Sequence, residues 1–290
     1  MIRIATRGSA LALTQAGEVA DLLGGAELVE ASSDREPGDK SRFVRGVERA
    51  LLAGEAEVGV HSAKDLPGEL PAELEIAAVP AREDAADVWI GPGGSLEEAP
   101  EGARVGTASL RRRAQLLAAR PDLRVTELHG NVDTRLRKLA EGELDAIVLA
   151  AAGLRRLGRA EEIGFAIPAE VMVPAPGQGC LALQVRRDDL ASQDAVGSVA
   201  DLDAMRELTA ERAAVAPLGA SCATPIGVHA RIEGERMTIT AFVGLPDGSE
   251  WLRDRLEGPA EDPTELGFHL AERLLVAGAR ELLERAEEAA

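Results

Sequence analysis

At about 150 residues per domain, a chain of 290 residues predicts two domains with room for a small third, and excludes a single minimal module. Apolar residues make up 46% and charged residues 28%, a mix that supports a sizeable core and excludes a disordered chain. Fifty acidic against 32 basic residues give a net charge of −18, which argues against nucleic acid or an anionic membrane surface as the main partner.

In chain order, residues 2–5 read as a short strand, after which Ser9 can cap a helix over 10–23 that ends at Gly24-Gly25. A second strand is predicted at 27–31, a helix at 43–53, and a buried strand at 58–60 that runs directly into His61-Ser62-Ala63-Lys64-Asp65-Leu66-Pro67. Past Pro80 the alternation resumes: strands at 88–90 and 104–106, a helix at 110–119, a strand at 124–128, a helix at 132–140 and a strand at 146–150. Such alternation is the pattern of an α/β fold. Pro174-Ala175-Pro176-Gly177-Gln178-Gly179 is a turn-rich break before an apolar strand at 180–185. The breaks near Pro80 and Pro174 read as paired crossings between two lobes. A helix at 202–215 then precedes strands at 226–232, 237–245 and 251–256, with a hairpin turn at Pro246-Asp247-Gly248-Ser249 and a last helix over 263–284. The expected division is 1–80 with 180–198, 85–174, and 200–290, the last an α+β unit. No internal repeat of fixed period is visible.

No run reaches the ~20 apolar residues of a membrane span. Met1-Ile2-Arg3-Ile4 enters apparent structure without a signal-peptide core, so a cytoplasmic location is expected. Two cysteines, Cys180 and Cys222, cannot make a disulfide framework, and no Cys/His cluster has metal-site spacing, so no metal is expected.

Charge is unevenly distributed. Residues 104–159 carry 12 Lys/Arg against 6 Asp/Glu, a local +6 that leaves −24 for the remainder. Within this basic island, Ser109-Leu110-Arg111-Arg112-Arg113 opens a helix directly after a strand. Cations there oppose the helix dipole by about 0.3–1 kcal/mol each, so something negative should compensate. Free amides with guanidinium forks make a carboxylate or phosphate site; a solvated face with surface ion pairs is the alternative. The arrangement repeats at His129-Gly130-Asn131, where Asn131 can cap and Arg135 is aimed back at the helix start, and Arg155-Arg156 follows the strand at 146–150. Ligands of open α/β sheets bind outside the carboxyl ends of strands, so these segments imply a ligand with several carboxylates or phosphates.

The other lobe offers Thr6-Arg7-Gly8-Ser9 at a strand-to-helix junction and Lys64-Asp65 after a buried strand. Lys64 could bind an anion while Asp65 faces a cation or an N–H donor; a surface turn closed by Pro67 is the other reading. His61 reads as a satisfied core residue. Cys222 lies in a loop of small residues, where an accessible thiol can form a thioether or serve as a small hydrophobe; Cys180 reads as a buried structural thiol.

The ordered set Ile4-Ala5-Thr6-Arg7-Gly8-Ser9-Ala10-Leu11-Ala12-Leu13, His61–Pro67, Gly106–Arg112, Gly130-Asn131-Val132-Asp133-Thr134-Arg135-Leu136 and Pro174–Gly179 resembles the porphobilinogen deaminase (hydroxymethylbilane synthase) family over nearly the whole chain. The resemblance implies a monomer with two lobes like type II periplasmic binding proteins and a small α+β C-terminal domain. It also implies a transferase of tetrapyrrole and heme biosynthesis. Four molecules of porphobilinogen are condensed head to tail with loss of four ammonia on a covalent dipyrromethane primer, and the linear tetrapyrrole is released by hydrolysis. Carried onto this chain, Cys222 would bear the thioether and Asp65 would be the catalytic carboxylate. Lys64, Ser109, Arg111, Arg112, Lys40 and Phe43 would hold the cofactor, and Arg7, Ser9, Arg135, Arg156 and His129 the substrate and growing chain. Each added pyrrole brings two carboxylates, which is the demand a basic island meets.

Three departures accompany the resemblance. The segment 32–43 is shorter than the family's usual lid, His129 stands where an arginine is usual, and Ser221 precedes the cysteine where glycine is common. Two other functions fit parts of the pattern. A non-catalytic two-lobe anion receptor would leave the third domain and Cys222 unexplained, and a phosphate-handling enzyme would lack both a P-loop and a metal cluster.

Overall fold

The computed structural model describes residues 1–32, 42–219 and 224–288. In chain order the strands are β1 (Ile2–Thr6), β2 (Ala26–Glu30), β3 (Val58–Ser62), β4 (Leu74–Ala78), β5 (Asp87–Ile90), β6 (Arg104–Gly106), β7 (Arg124–Thr126), β8 (Ala146–Ala150), β9 (Phe165–Ile167), β10 (Leu181–Arg186), β11 (Ile226–Glu233), β12 (Arg236–Gly244) and β13 (Trp251–Pro259). The helices are α1 (Ala10–Leu22), α2 (Arg42–Leu52), α3 (Leu110–Ala119), α4 (Val132–Ala140), α5 (Ala151–Arg156), α6 (Leu190–Gly197), α7 (Leu202–Val215), α8 (Pro263–Val276) and α9 (Ala279–Glu288).

The strands form two five-stranded sheets, ordered β2-β1-β3-β10-β4 and β7-β6-β8-β5-β9, and a three-stranded sheet β11-β12-β13. The two larger sheets share one plan. Three strands run parallel (β2, β1, β3 and β7, β6, β8), and the fourth position holds an antiparallel strand, β10 or β5, that also pairs antiparallel with the fifth. Both antiparallel strands follow a crossing: β4 leads to β5 in the other sheet, and β9 leads back to β10. The crossings touch, since the Glu83 N–H donates to the Gly179 carbonyl at 3.3 Å. A Cβ on Gly179, at φ +92°, would lie 2.2 Å from the Glu83 carbonyl oxygen. Glycine is required there both by its backbone conformation and by the approach of the second chain. The sequence shows no repeat, yet the topology is duplicated.

Helix starts are fixed locally. Ser9 accepts from the Ala12 N–H, Ser109 from the Arg112 N–H and Asn131 from the Thr134 N–H, so three polar caps set where α1, α3 and α4 begin. Ala16, Val19 and Ala20 of α1 pack on Ile4, Val58 and Val60, and Leu116 of α3 on Val105, Ala146 and Val148. The third unit has its own core, in which Ala210 and Ala214 of α7 and Leu266, Leu270 and Leu274 of α8 cover Val228, Ile239 and Ala241. Ala114, Val173 and Phe242 join α3 to that third sheet.

The structure departs from the sequence-based elements at a few points. The last helix is two helices, because Gly278 adopts φ +97° after the Ala277 cap and ends α8. Strands β4 and β9 and helices α5 and α6 were not predicted.

Candidate active site

The parallel strands of each large sheet end at a common edge, and the predicted side chains leave from it. At the first sheet, β1 runs through Arg7 to the Ser9 cap, and neighbouring β3 runs into a single 3-10 turn, Ala63–Asp65. Arg7 and Asp65 approach there, with Nη1 to Oδ2 at 3.9 Å. At the second sheet, β6 leads to Ser109, Arg111 and Arg112 at the start of α3, β7 leads toward His129 and α4, and β8 feeds α5 with Arg156 in its last turn.

The negative group that the α3 arginines demand is Asp87, the first residue of β5 and fully buried. Arg111 donates to both of its oxygens, at 2.6 and 3.1 Å, and Arg112 Nε to Oδ1 at 2.8 Å. The guanidiniums also donate to the Val173 and Val148 carbonyls, at 2.7 and 3.0 Å. Both arginines are buried. Although burial opposes its charge, Asp87 is held well below the usual carboxylate range by Arg111 and Arg112. Arg112 is lowered, chiefly by burial, with Arg111 adding to the effect and Asp87 opposing it.

Gln178, in the second crossing, ties the two sheets together. Its side-chain amide donates to Asp87 Oδ1 at 3.1 Å and to the Ala85 carbonyl at 2.7 Å, and its oxygen accepts from Lys64 Nζ at 3.4 Å. The crossing fits closely: a Cβ on Gly177, at φ +72°, would lie 2.9 Å from the Ala63 carbonyl carbon. Burial first, and then the neighbouring guanidiniums of Arg112 and Arg111, push the Lys64 ammonium down to about 8 despite Asp65 and Asp87. Arg135 donates from Nε to the Gly130 carbonyl at 2.8 Å, aimed back at its helix start as predicted, and burial with Arg112 pushes it down to about 10.

Lys64, Arg111, Arg112 and Arg135 therefore form a cluster whose cations raise one another's cost, and among the described residues the one fully buried carboxylate beside them, Asp87, leaves positive charge in excess. Such a cluster fits a group carrying several carboxylates. No group of three or more metal-ligating side chains occurs among the described residues, and no helix among them is long and apolar enough to cross a membrane.

His129 is exposed and pairs with Glu127 at 3.0 Å. Arg156 pairs with Glu18. His61 is buried and bonded to Gln184 Oε1 at 3.0 Å, and burial pushes it down to about 4, so it is a neutral core residue. Cys180 is buried, and burial pushes its thiol up to about 12. Cys222 and Lys40 lie outside the described residues, as does the side chain of Phe43. Sequence reasoning missed Asp87, Gln178 and Glu18. Of these, only Asp87 left a signal: a carboxylate heading the apolar run Val88-Trp89-Ile90.

Two family models match this chain: "Porphobilinogen deaminase, dipyromethane cofactor binding domain" over residues 2–194 and "Porphobilinogen deaminase, C-terminal domain" over residues 205–276. Among curated relatives it is similar to the porphobilinogen deaminases of Syntrophus aciditrophicus, at 44% identity over 99% of both chains, and of Roseiflexus sp., at 44% over 97% of both. That of Deinococcus radiodurans is 40% identical over 99% of both. Among solved structures the chain is similar to the periplasmic VFT2 domain of Bordetella pertussis BvgS, at 17% identity and a TM-score of 0.41, covering 68% of this chain and 86% of that one. Matches that together span nearly every residue leave one conclusion: the chain belongs to the porphobilinogen deaminase family, the hydroxymethylbilane synthases, transferases that use a dipyrromethane cofactor.

Proposed function

We propose that the cationic cluster between the two large sheets is the seat of the cofactor and the growing chain, and that Asp65 is the carboxylate that serves the reacting pyrroles. In each condensation the aminomethyl C–N bond of porphobilinogen breaks and ammonia leaves. The exposed carbon joins the free α-carbon of the preceding ring, which gives up its proton. Asp65, half-exposed on its turn beside Arg7, accepts pyrrole N–H groups and offsets the positive charge that develops on the ring as ammonia departs. Bound, the dipyrromethane supplies the α-carbon at which the first new bond is made.

The remaining roles follow from charge and reach. Lys64, Arg111, Arg112 and the Ser109 hydroxyl hold cofactor carboxylates, with Lys40 and Phe43 contributing from outside the described residues. Arg7, Ser9, Arg135, Arg156 and His129 hold the acetate and propionate groups of substrate and chain. Arginine suits this task because its planar fork meets a carboxylate bidentately. Cys222 carries the thioether; in support, the other cysteine, Cys180, is sealed in the core with its thiol held protonated, and a thiolate is the nucleophile such a bond needs. The chain divides into 1–80 with 180–198, 85–174, and 200–290, and works as a cytoplasmic monomer.

The observation that carries this reading is the excess of cations around a single buried carboxylate, Asp87. Intact mass tests it: the purified protein is heavier than its sequence by one dipyrromethane and colours with Ehrlich's reagent, and Cys222→Ser abolishes both. A fully active wild type at its bare sequence mass refutes it.

A further inference from the structure

Arg156, a proposed substrate-holding arginine, already grips a carboxylate from the opposite lobe. Its Nε donates to Glu18 Oε2 at 3.0 Å and its Nη2 to the Gly179 carbonyl at 3.1 Å. Glu18 lies on α1, which packs on the first sheet, and Arg156 ends α5, which follows β8 of the second. These helices meet along a seam, where a Cβ on Gly153 would lie 3.7 Å from Leu11 Cδ2. The Arg156 side chain is 7% exposed, whereas that of Glu18 is 40% exposed. The guanidinium is thus buried, while the carboxylate that meets it is open to solvent.

We infer that Glu18 is a built-in competitor for substrate: its carboxylate occupies Arg156 until a carboxylate of porphobilinogen or of the growing chain displaces it. The chemistry on both sides of the exchange is the same, one carboxylate for another on a single guanidinium. The geometry makes the exchange easy. Glu18 takes only the Nε edge, because Nη2 is committed to Gly179, so it lacks the two parallel bonds of a fork-to-fork pair. Only the Glu18 end is open to solvent, which brings the pair nearer in worth to an exposed ion pair than to a fully buried one, so an incoming group with further anchors can replace it. Glu18 is a positioning residue. It keeps a buried guanidinium neutralised while the site is empty, and it raises the substrate concentration needed to occupy it.

The inference rests on the assignment of Arg156 to substrate, and steady-state kinetics with porphobilinogen separates the two. Glu18→Gln is expected to lower KM about two- to fivefold, the worth of one exposed pair, and to strengthen inhibition by citrate, a small polycarboxylate probe. Arg156→Gln is expected to raise KM, and adding Glu18→Gln in that background should change nothing further. If Arg156→Gln leaves KM unaltered, the substrate assignment of Arg156 fails. If it raises KM while Glu18→Gln leaves KM and citrate inhibition unmoved or weakens binding, the assignment stands and Glu18 is not a competitor. Thermal denaturation of both variants confirms that the protein assayed is folded.

Discussion

Asp87 and Glu211 are both fully buried carboxylates beside the chain crossings, yet their surroundings differ in charge. Glu211, on α7, accepts from Arg82 at 2.8 and 3.3 Å, from the Gly177 and Ala230 N–H groups at 2.6 and 2.8 Å, and faces His229 at 3.3 Å. Arg82 also meets Glu207 at 3.1 Å, so two acids share one guanidinium and the remaining acceptors are filled by backbone. Asp87 faces two guanidiniums, with Lys64 and Arg135 near by, both lowered first by burial and then by Arg112. The first network is complete within the protein and staples both crossings to the third unit. In the second, cations outnumber acids among the described residues, which favours receiving a polyanion. Burial of a charge thus marks structure where the protein's own donors fill its acceptors, and function where cations outnumber the acids they meet.

The sharpest way to break this comparison is to remove the charge of each acid with and without the cofactor. Loss of one member of a buried pair costs about 3–5 kcal/mol. Glu211→Gln should cost a similar amount in wild type and in a Cys222→Ser background, since nothing external completes its network. Asp87→Asn should cost less in loaded wild type than in Cys222→Ser, because bound carboxylates substitute for the missing one. Denaturant melts of the four variants and their two parents decide, and equal penalties for Asp87→Asn in both backgrounds would erase the distinction.

Asp65→Ala probes the chemical end of the charged network. Turnover should fall about 10²–10³-fold, the usual loss when one electrostatic stabiliser is removed, with the cofactor mass retained. Near-normal turnover removes Asp65 from the reaction.

A smaller effect follows from Lys64. Its folded-state pKa of about 8 lies below the ordinary lysine value, so between the two the unfolded chain binds more protons and stability rises with pH. The charge is a cost in full below about 8, and the cost disappears as pH climbs toward the unfolded value. Lys64→Met in the Cys222→Ser background should therefore be more stable at pH 7 by about 1–3 kcal/mol, with the gain shrinking above pH 8. A gain independent of pH contradicts this. Smallest is the exposed pair Arg137–Glu141 at 2.7 Å on α4: Arg137→Ala should shift stability by no more than about 0.5 kcal/mol and leave KM unchanged, which separates the working arginines of the basic island from its solvated ones.

Much of this was legible in the sequence where the determinant is local. Ser9, Ser109 and Asn131 mark their helix starts through bonds three residues away, and the apolar runs of β3, β8 and β10 identify themselves. Three successive arginines at a helix start announced a missing anion without saying where it would come from, because Asp87 lies 24 residues from Arg111. Glu18 and Arg156 are 138 residues apart, and no pattern along the chain links them. Strands β4 and β9 escaped for another reason: each lies at the end of its sheet, and antiparallel pairing with the distant β10 and with β5 makes them strands. The break between α8 and α9 turns on Gly278, whose left-handed conformation an amphipathic pattern does not reveal.

The ionisation of Lys64 reports its surroundings at the heart of the site, burial first and then the guanidiniums of Arg112 and Arg111. The chain has three lysines, Lys40, Lys64 and Lys138, so side-chain nitrogen resonances can be assigned with single substitutions and followed by NMR across pH. The Lys64 ammonium should titrate near 8 in Cys222→Ser and move well upward in the cofactor-loaded enzyme. An ordinary lysine value of about 10.4 in both forms would mean that Lys64 is neither desolvated nor crowded by the guanidiniums of Arg112 and Arg111, which contradicts the account.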